Sequence, residues 1–328
     1  MNKILSVLAA MAVLCASAVF AADKVTIQLK WVTQAQFAGY YVAQDKGFYK
    51  DEGLDVTIKP GGPDIAPAQV LAGGGADVMV DWMPSALAAR EKGLPLVNIA
   101  QPFKSSGMML TCRKDMGVNS TSDLKGKTLG VWFYGNEYPF LSWMSRLGLK
   151  TDGSSDGVTV LKQGWGVEPL TEGQAACVST MSYNEYWVVR DAGYSPEQLT
   201  VFKYQTEGAA TLEDGLYVHE KNLSDSAFKD KMVRFVRASM KGWKHAEANP
   251  KEAAMIILEN DDAGVQTEKH QVRMMGEIAK LTAGSNGSLD PADYERTVKV
   301  LMSGASDPVI TKKPSGAWTH EITDAALK

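Results

Sequence analysis

The stretch LDVTIKPGGPDIAPAQVLAGGGADVMVDW, residues 54–82, decides the fold class. Its first part, LDVTIKP (54–60), alternates apolar and polar residues as a strand does, and the GGP that follows is a turn. IAPAQVLAGG then reads as a helix that ends at Gly73–Gly75, and ADVMVDW (76–82) as a second strand. A strand, a helix and a strand in such close succession predict two parallel strands joined by a crossover helix.

The same alternation continues on both sides of this stretch. Further strands are predicted at VTIQLKW (25–31), PLVNIAQ (95–101), KTLGVWF (127–133), VTVLKQ (158–163), ACVSTM (176–181) and LTVFKY (199–204). GMMLTCRKD is extended, and helices are predicted in FAGYYVAQDKGFY, PSALAAREKG, NEYPFLSWMSRLG, GVEPLTEGQ and YNEYWVVRDAG. Because the α/β order occurs twice in succession, we expect two similar lobes, each a mainly parallel sheet flanked by helices.

The chain becomes helical from Ser224 onward. Apolar residues recur there at spacings of three and four, as on one face of a helix. They are Phe228, Met232, Phe235, Val236, Met240 and Trp243. This pattern predicts a C-terminal helical segment whose apolar face packs on the first lobe.

The first residues, MNKILSVLAAMAVLCASAVFAADK, combine one early cation, Lys3, with an apolar run and small residues at Ala21 and Ala22. This is the pattern of a cleavable secretory signal, so we expect a signal peptide at residues 1–21 and a periplasmic product. A membrane anchor is the alternative, but the run is shorter than the span of about 20 apolar residues that a bilayer needs.

The charge balance bears on the partners. The chain has 34 Lys and Arg against 38 Asp and Glu, a formal net charge of −4. A mildly acidic chain argues against nucleic acid and anionic membrane as partners. We expect a monomeric protein with a small-molecule ligand.

Few residues suit metal, cofactor or nucleophilic chemistry. Cys112 and Cys177 would survive cleavage of the leader, and we expect two buried free thiols, with a disulfide as the alternative. The four histidines are widely spread, and there is no CxxC, HExxH, GxSxG or phosphate-binding glycine loop. The sequence therefore predicts no metal, no cofactor and no catalytic residue.

The richest chemistry lies where predicted strands end. In open α/β sheets ligands bind beyond the carboxyl ends of the strands. Aromatic, amide and carboxylate side chains gather there: Trp31, Gln36, Phe37, Asp81, Trp82, Asn136, Glu137, Tyr138, Trp165, Tyr183, Asn184 and Glu185. Each carboxylate taken alone could simply cap a helix, and each aromatic could be core. Together they suit a flat ring with polar edges, or a cation held over aromatic faces.

Four segments resemble a known family. QFAGYYVAQDKGFYKDEGLDV, the GGP turn, QVLAGGGADVMV and LKGKTLGVW occur in the order found in periplasmic solute-binding proteins of ABC importers with the type 2 fold. The nearer resemblance is to the thiamine-pyrimidine-synthase-like branch, which includes binding proteins for thiamine pyrimidine precursors and for riboflavin. It implies a first lobe from residues 22–108, a second lobe from 109–213, and a return to the first lobe and C-terminal helices in 214–328.

The resemblance also implies a site and partners. A ligand would lie in the cleft between the lobes, which close by hinge motion, and an ABC permease and ATPase would receive it. Trp31, Gln36, Phe37 and Trp82 would form the wall of the first lobe; Asn136, Glu137, Tyr183 and Glu185 would form that of the second. Trp31 and Phe37 would stack on the ligand, and Gln34 and Gln36 would bond to its edge. The implied ligand is a flat heterocyclic vitamin or precursor, a thiamine pyrimidine precursor or riboflavin.

The same branch contains pyrimidine synthases, which consume a histidine of their own and bind pyridoxal phosphate on a lysine. At the matching positions this chain has Asp81 in place of the lysine and Ser85 in place of the histidine, and it lacks their cysteine-rich run near 213–218. We therefore expect a binding protein, not an enzyme. A synthase-like enzyme, a binder of a small anion such as a sulfonate or nitrate, and a sensor component stay as alternatives.

Overall fold

The structure, a computed structural model, describes residues 21–303 and 308–328. The signal peptide expected at residues 1–21 lies outside the described residues except for Ala21. In the described part no helix combines the length and the apolar character that crossing a membrane requires.

The first sheet has five strands in the order β2-β1-β3-β10-β4. Their bounds are β1 Asp23–Gln28, β2 Leu54–Lys59, β3 Val78–Asp81, β4 Leu96–Ala100 and β10 Gly215–His219. β1 runs parallel to both β2 and β3, with Val25 opposite Val56. β2 and β3 therefore run in the same direction, as the quoted stretch predicts, and β1 lies between them. β10 enters antiparallel between β3 and β4 and has no counterpart among the predicted strands. No crossover helix precedes it, so the strand-helix alternation gives no sign of it.

The second sheet repeats this plan in the order β7-β6-β8-β5-β9. Its strands are β5 Met108–Arg113, β6 Thr128–Val131, β7 Thr159–Lys162, β8 Cys177–Met181 and β9 Leu199–Lys203. β6 is parallel to β7 and β8, while β5 is antiparallel to β8 and β9. Each sheet is therefore mainly parallel with one reversed strand, and the predicted strands agree with the observed ones to within a few residues.

Helices cover the sheets and fill the C-terminal part. They are α1 Ala38–Asp45, α2 Phe48–Asp51, α3 Pro67–Ala72, α4 Met83–Glu91, α5 Tyr138–Arg146, α6 Glu168–Thr171, α7 Glu185–Asp191, α8 Ser226–Ala248, α9 Pro250–Glu259, α10 Glu268–Thr282, α11 Pro291–Met302 and α12 Glu321–Ala326. The predicted apolar face of α8 is confirmed: Phe235 and Trp243 are fully buried in the main core. α8 crosses α1 closely, because a Cβ at Gly39 would overlap the Trp243 ring and one at Gly242 would overlap the Gly39 carbonyl.

The chain crosses between the two sheets in residues 101–107 and again in residues 204–214. A buried carboxylate joins these two crossing segments: Glu213 Oε2 accepts from Ser106 Oγ at 2.7 Å and from the Gly107 N–H at 3.1 Å. The crossings therefore lie side by side, as a hinge between two lobes requires. The lobe boundaries expected at 108/109 and 213/214 stay predictions.

The expectation of free thiols is wrong. Cys112 and Cys177 form a disulfide. They lie directly opposite each other on β5 and β8, and both are fully buried. The sheet order places β5 next to β8, and the spacing of the two cysteines in the sequence does not reveal that these strands are neighbours. The bridge ties together two neighbouring strands of the second sheet.

Candidate functional site

A small cavity lies between the two sheets, at the carboxyl ends of β1, β3, β6 and β8. We call this cavity the central pocket. Its lining residues are Lys30, Trp31, Gln34, Gln36, Trp82, Trp132, Asn136, Met181, Tyr183 and Glu185. The cavity measures about 20 Å³, little more than the room that one water molecule needs. A ring-shaped ligand therefore enters only if the walls separate.

Three indoles line the central pocket, and all are largely buried. Trp31 follows β1 and Trp132 follows β6, so their contact spans the two sheets. Their ring centroids are 6.1 Å apart at an interplanar angle of 59°. Trp82, which follows β3, lies under the Lys30 ammonium at 4.9 Å. Indole faces arranged in this way can stack on a flat ring or hold a cation.

Asp81 does not line the pocket, although it was a predicted ligand residue. It is completely buried, and its Oδ1 accepts from the Lys30 ammonium at 2.7 Å. Its other oxygen accepts from Ser85 Oγ at 2.8 Å. Lys30 itself is 4% exposed, so the pair needs this short contact to offset the loss of hydration. Asp81 therefore compensates Lys30 behind the pocket wall.

Two further buried carboxyl groups, those of Glu213 and Asp214, lie near the Lys30–Asp81 ion pair. Asp214 accepts from Gln36 Nε2 at 2.7 Å and from Trp82 Nε1 at 3.0 Å. Burial raises the pKa of Asp214 to about 7. Burial, and then repulsion by Asp214, also raises the pKa of Glu213. Because Gln36 and Trp82 are wall residues, Asp214 holds two of the pocket's side chains in place.

Glu185 is the carboxylate of the pocket wall. It opens α7 and is 3% exposed, and burial raises its pKa to about 7. Its Oε2 accepts from the Met181 N–H at 2.9 Å and its Oε1 from Asn184 Nδ2 at 2.8 Å. With a pKa near neutrality, the Glu185 carboxyl can donate a proton to a basic ring nitrogen or share one with it.

Amide side chains connect the two lobes beside the pocket. Gln36 accepts from Gln34 Nε2 at 2.6 Å, and Gln34 accepts from Asn184 Nδ2 at 3.2 Å. Asn184 Oδ1 in turn bonds to His270 Nε2 at 2.7 Å. Asn184 belongs to the second lobe, whereas Gln34 and His270 lie on segments packed with the first. This chain of hydrogen bonds therefore spans the cleft.

Two polar atoms in the pocket wall have no hydrogen-bond partner among the described residues, Asn136 Oδ1 and Tyr183 Oη. Asn136 is 6% exposed and Tyr183 is 1% exposed. Asn136 uses only its amide nitrogen, which donates to the Phe133 carbonyl at 2.9 Å. Burying a polar atom without a partner costs about 1–3 kcal/mol, so both are poised to bond to a ligand.

Of the predicted site residues, the structure brings together Trp31, Gln36, Trp82, Asn136, Tyr183 and Glu185 in the central pocket.

The remaining predicted residues lie elsewhere. Phe37 is fully buried in the main core, because it closes the 3₁₀ turn Ala35–Phe37 with its ring toward the protein interior. Glu137 accepts from the Gly135 N–H at 2.7 Å and lines, with Gly135 and Tyr138, a separate groove. Trp165 and Asn184 line an outer cavity next to the central pocket. These positions correct the stacking role expected for Phe37 and the place in the second lobe's pocket wall expected for Glu137.

Sequence reasoning missed several residues of the site. Lys30, Trp132 and Met181 line the pocket but were not candidates, and neither were Glu213 and Asp214 of the hinge. Lys30 had a usable signal, because a cation directly before the predicted strand end at Trp31 has to be compensated. The hinge pair had none, since no predicted strand borders it.

Comparison with known proteins now adds the family. A family model described as NMT1/THI5 like matches residues 34–253. The chain belongs to the NMT1/THI5-like family. A formylaminopyrimidine-binding protein of Halalkalibacterium halodurans is 25% identical to it over 291 residues, which are 86% of this chain and 85% of that protein. The riboflavin-binding protein RibY of Chloroflexus aurantiacus is 26% identical over 245 residues, 72% of this chain and 66% of RibY.

Some matches cover less of the chain or are weaker in sequence. A 4-amino-5-hydroxymethyl-2-methylpyrimidine phosphate synthase of Legionella pneumophila is 32% identical over 109 residues, only 33% of this chain and 34% of the enzyme. Among solved structures, one from Bordetella bronchiseptica superposes with a TM-score of 0.74 at 20% identity, covering 92% of this chain and 96% of the other. The periplasmic aliphatic sulphonate binding protein SsuA of Escherichia coli gives 0.63 at 12% identity, covering 85% of each chain. These likenesses confirm the two-lobed type 2 periplasmic-binding-protein fold.

Proposed function

We propose that this protein is the periplasmic solute-binding component of an ABC importer and that it captures a flat nitrogen heterocycle in the central pocket. One observation carries the proposal: a pocket of three indoles contains two buried polar atoms, Asn136 Oδ1 and Tyr183 Oη, that have no partner among the described residues.

The flat shape of the ligand follows from the indoles. Trp31 and Trp132 approach each other across the cleft, and Trp82 closes a third side. A ring inserted between such faces gains offset-stacked or edge-to-face contacts with both lobes at once. It would therefore hold the lobes together, which suits a protein that presents its closed form to a permease.

The polar edge of the ligand follows from the unpaired atoms. Asn136 Oδ1 can only accept, so it requires an N–H or O–H donor on the ligand. Tyr183 Oη can donate to a ring nitrogen or carbonyl, and Glu185 lies in the same wall. An aminopyrimidine offers an amino donor beside a ring nitrogen, and the flavin ring offers an N–H beside a carbonyl. Both ligand classes named for the relatives fit these donors and acceptors.

Small anions fit the site less well. Lys30 is the single cation among the described residues of the central pocket, and Asp81 already neutralises it at 2.7 Å. Glu185 lies in the same wall, and Asp214 accepts hydrogen bonds from two other wall residues, Gln36 and Trp82. A sulfonate or nitrate would meet carboxyl groups and find no free cation to clamp it. We therefore place an anion-binding function second.

Catalysis by a synthase does not fit the residues present. The position where the resemblance expects a pyridoxal-phosphate lysine is Asp81, and the position of the consumed histidine is Ser85. Asp81 is fully buried and bonded to both Ser85 and Lys30. Neither residue can form an imine or supply an imidazole, so we propose binding without turnover.

A thermal-shift screen tests the proposal. A ligand that binds only the folded protein raises its melting temperature, more so as its concentration exceeds Kd. We expect a rise with 4-amino-5-hydroxymethyl-2-methylpyrimidine, formylaminopyrimidine, thiamine or riboflavin, and none with an alkanesulfonate or nitrate. The shift should disappear in Trp31→Ala and persist in Met255→Ala, a change on the exposed side of α9. Stabilisation by an anion alone would refute the proposed ligand class.

A further inference from the structure

A second cavity of about 300 Å³ adjoins the central pocket, and we call it the outer vestibule. Its walls include Trp31, Gln34, Trp165, Val188, Val265 and His270. Trp165 and Val188 belong to the second lobe, while Val265 and His270 lie on the segments around α9 and α10 that pack with the first. Both lobes therefore build the vestibule, as they build the central pocket.

The two cavities share part of their walls. Trp31 and Gln34 line both of them. A group attached to a ring in the central pocket, on the side of the ring that faces Trp31, would emerge into the vestibule. The vestibule is therefore placed to contact the part of a ligand that extends beyond its ring.

One side of the vestibule is apolar and unusually exposed. Trp165 is 52% exposed, Val265 43% and Val188 39%. They come from three separate elements: the turn after β7, the loop between α9 and α10, and α7. Large apolar side chains left open to water around one cavity are typical of a ligand-contacting surface.

Among the described residues, the wall of the vestibule offers an anion no lysine or arginine. Asp191 lies in its wall, paired with Arg273 at 3.0 Å and Lys269 at 3.6 Å. His270 bonds to Asn184, and burial, followed by Arg273, lowers the pKa of its imidazole. The described wall residues thus include a carboxylate and a neutral imidazole but no lysine or arginine.

We propose that the outer vestibule holds an uncharged or cationic substituent carried by the ligand's heterocycle and that Trp165 covers this substituent. The proposal rests on the proposed function, since it needs the ring in the central pocket. It names the ligand class more narrowly: a substituted heterocycle is preferred over the bare ring, and an anionic substituent is disfavoured.

Matched ligand pairs test this by calorimetric titration. For a pyrimidine binder the pair is 4-amino-5-hydroxymethyl-2-methylpyrimidine and thiamine, which share the aminopyrimidine and differ in a second, cationic ring. The phosphate ester of the former is the anionic arm. For a flavin binder the pair is lumiflavin and riboflavin, which share the isoalloxazine ring and differ in a methyl group against an uncharged hydroxylated chain.

In the pair whose ring binds, we expect the Kd of the substituted member to be about tenfold lower than that of the bare ring. A tenfold change corresponds to the free energy of about one contact with an aromatic side chain. Trp165→Ala should remove this preference and leave the bare ring within about twofold, while Trp165→Phe retains most of it. Met255→Ala, on an exposed residue outside both cavities, should change neither value.

Equal affinities within the pair, tighter binding of the phosphate ester, or an equal loss for both members in Trp165→Ala would overturn the vestibule proposal and leave the proposed function standing. Failure of both rings to bind the wild type would refute the proposed function, and the vestibule proposal with it.

Discussion

Gly135→Ala should prevent the two lobes from closing on a ligand. Gly135 follows β6 in the second lobe, and Ser85 lies on α4 in the first. A Cβ added at Gly135 would lie 2.5 Å from Ser85 Oγ and 2.6 Å from Ser85 Cβ. Separations this short do not occur between real side chains, so one lobe would have to move away from the other.

The free-energy cost of Gly135→Ala has two contributions, backbone strain at position 135 and overlap with Ser85. Gly135 has φ of 98°, where an alanine costs about 1–2 kcal/mol. That strain is present whether the lobes are open or closed, so it lowers stability and leaves closure unchanged. The overlap with Ser85 exists only in the closed arrangement, and overpacking of this kind costs about 1–3 kcal/mol. We expect a roughly tenfold to hundredfold weaker Kd, measured by calorimetry with the heterocycle from the thermal-shift screen.

Two further variants distinguish the contributions. Gly148→Ala also places an alanine at a positive φ, 71°, but its Cβ would meet nothing within 4 Å. This variant should therefore lower the melting temperature and leave Kd unchanged. Ser85→Gly removes the overlapping atoms, and the double variant should bind within about twofold of Ser85→Gly alone. Wild-type affinity in Gly135→Ala, or an equal loss in Gly148→Ala, would refute the reasoning.

Other predictions concern stability. Lys30→Met leaves a buried carboxylate without its cation and should lower the free energy of unfolding by about 3–5 kcal/mol in urea denaturation; an unchanged value would contradict the ion pair's role. Because burial raises the pKa of Glu185 from 4.5 to about 7, the folded state binds the extra proton in that window. The free energy of unfolding should therefore fall as pH rises through it, by up to about 3 kcal/mol. Glu185→Gln should reduce this dependence between pH 5 and pH 8, where Asp214 contributes a slope of the same sign, and a slope equal to that of the wild type would count against it. Replacing Cys112 and Cys177 by alanine opens a loop spanning 65 residues and should cost about 4 kcal/mol; a loss below about 1 kcal/mol would contradict this.

Local pattern was sufficient for most of the fold. Strand and helix alternate with glycine stops in residues 54–82, and the shared direction of β2 and β3 follows from that order. The reversed strands β5 and β10 do not follow from it. Their direction depends on where the chain crosses between the lobes, and no local periodicity encodes that crossing.

The site was predictable to the extent that strand ends define it. Trp31, Trp82 and Glu185 end a strand or open a helix, and each lies in the central pocket. Partnerships over long separations were not predictable. Asp81 bonds to Lys30 across 51 positions, and Glu213 bonds to Ser106 across 107. Only the sheet order and the two crossing segments bring these groups together.

Tyr183→Phe tests the central claim most directly, because it should change stability and binding in opposite directions. The Tyr183 hydroxyl is buried without a partner among the described residues, so its removal should raise the free energy of unfolding by about 1 kcal/mol. If the ligand bonds to that hydroxyl, the same change should weaken the heterocycle's Kd by about three- to tenfold. A paired measurement of melting temperature and Kd is therefore expected to show a more stable protein that binds less tightly. A Kd equal to that of the wild type would contradict the account.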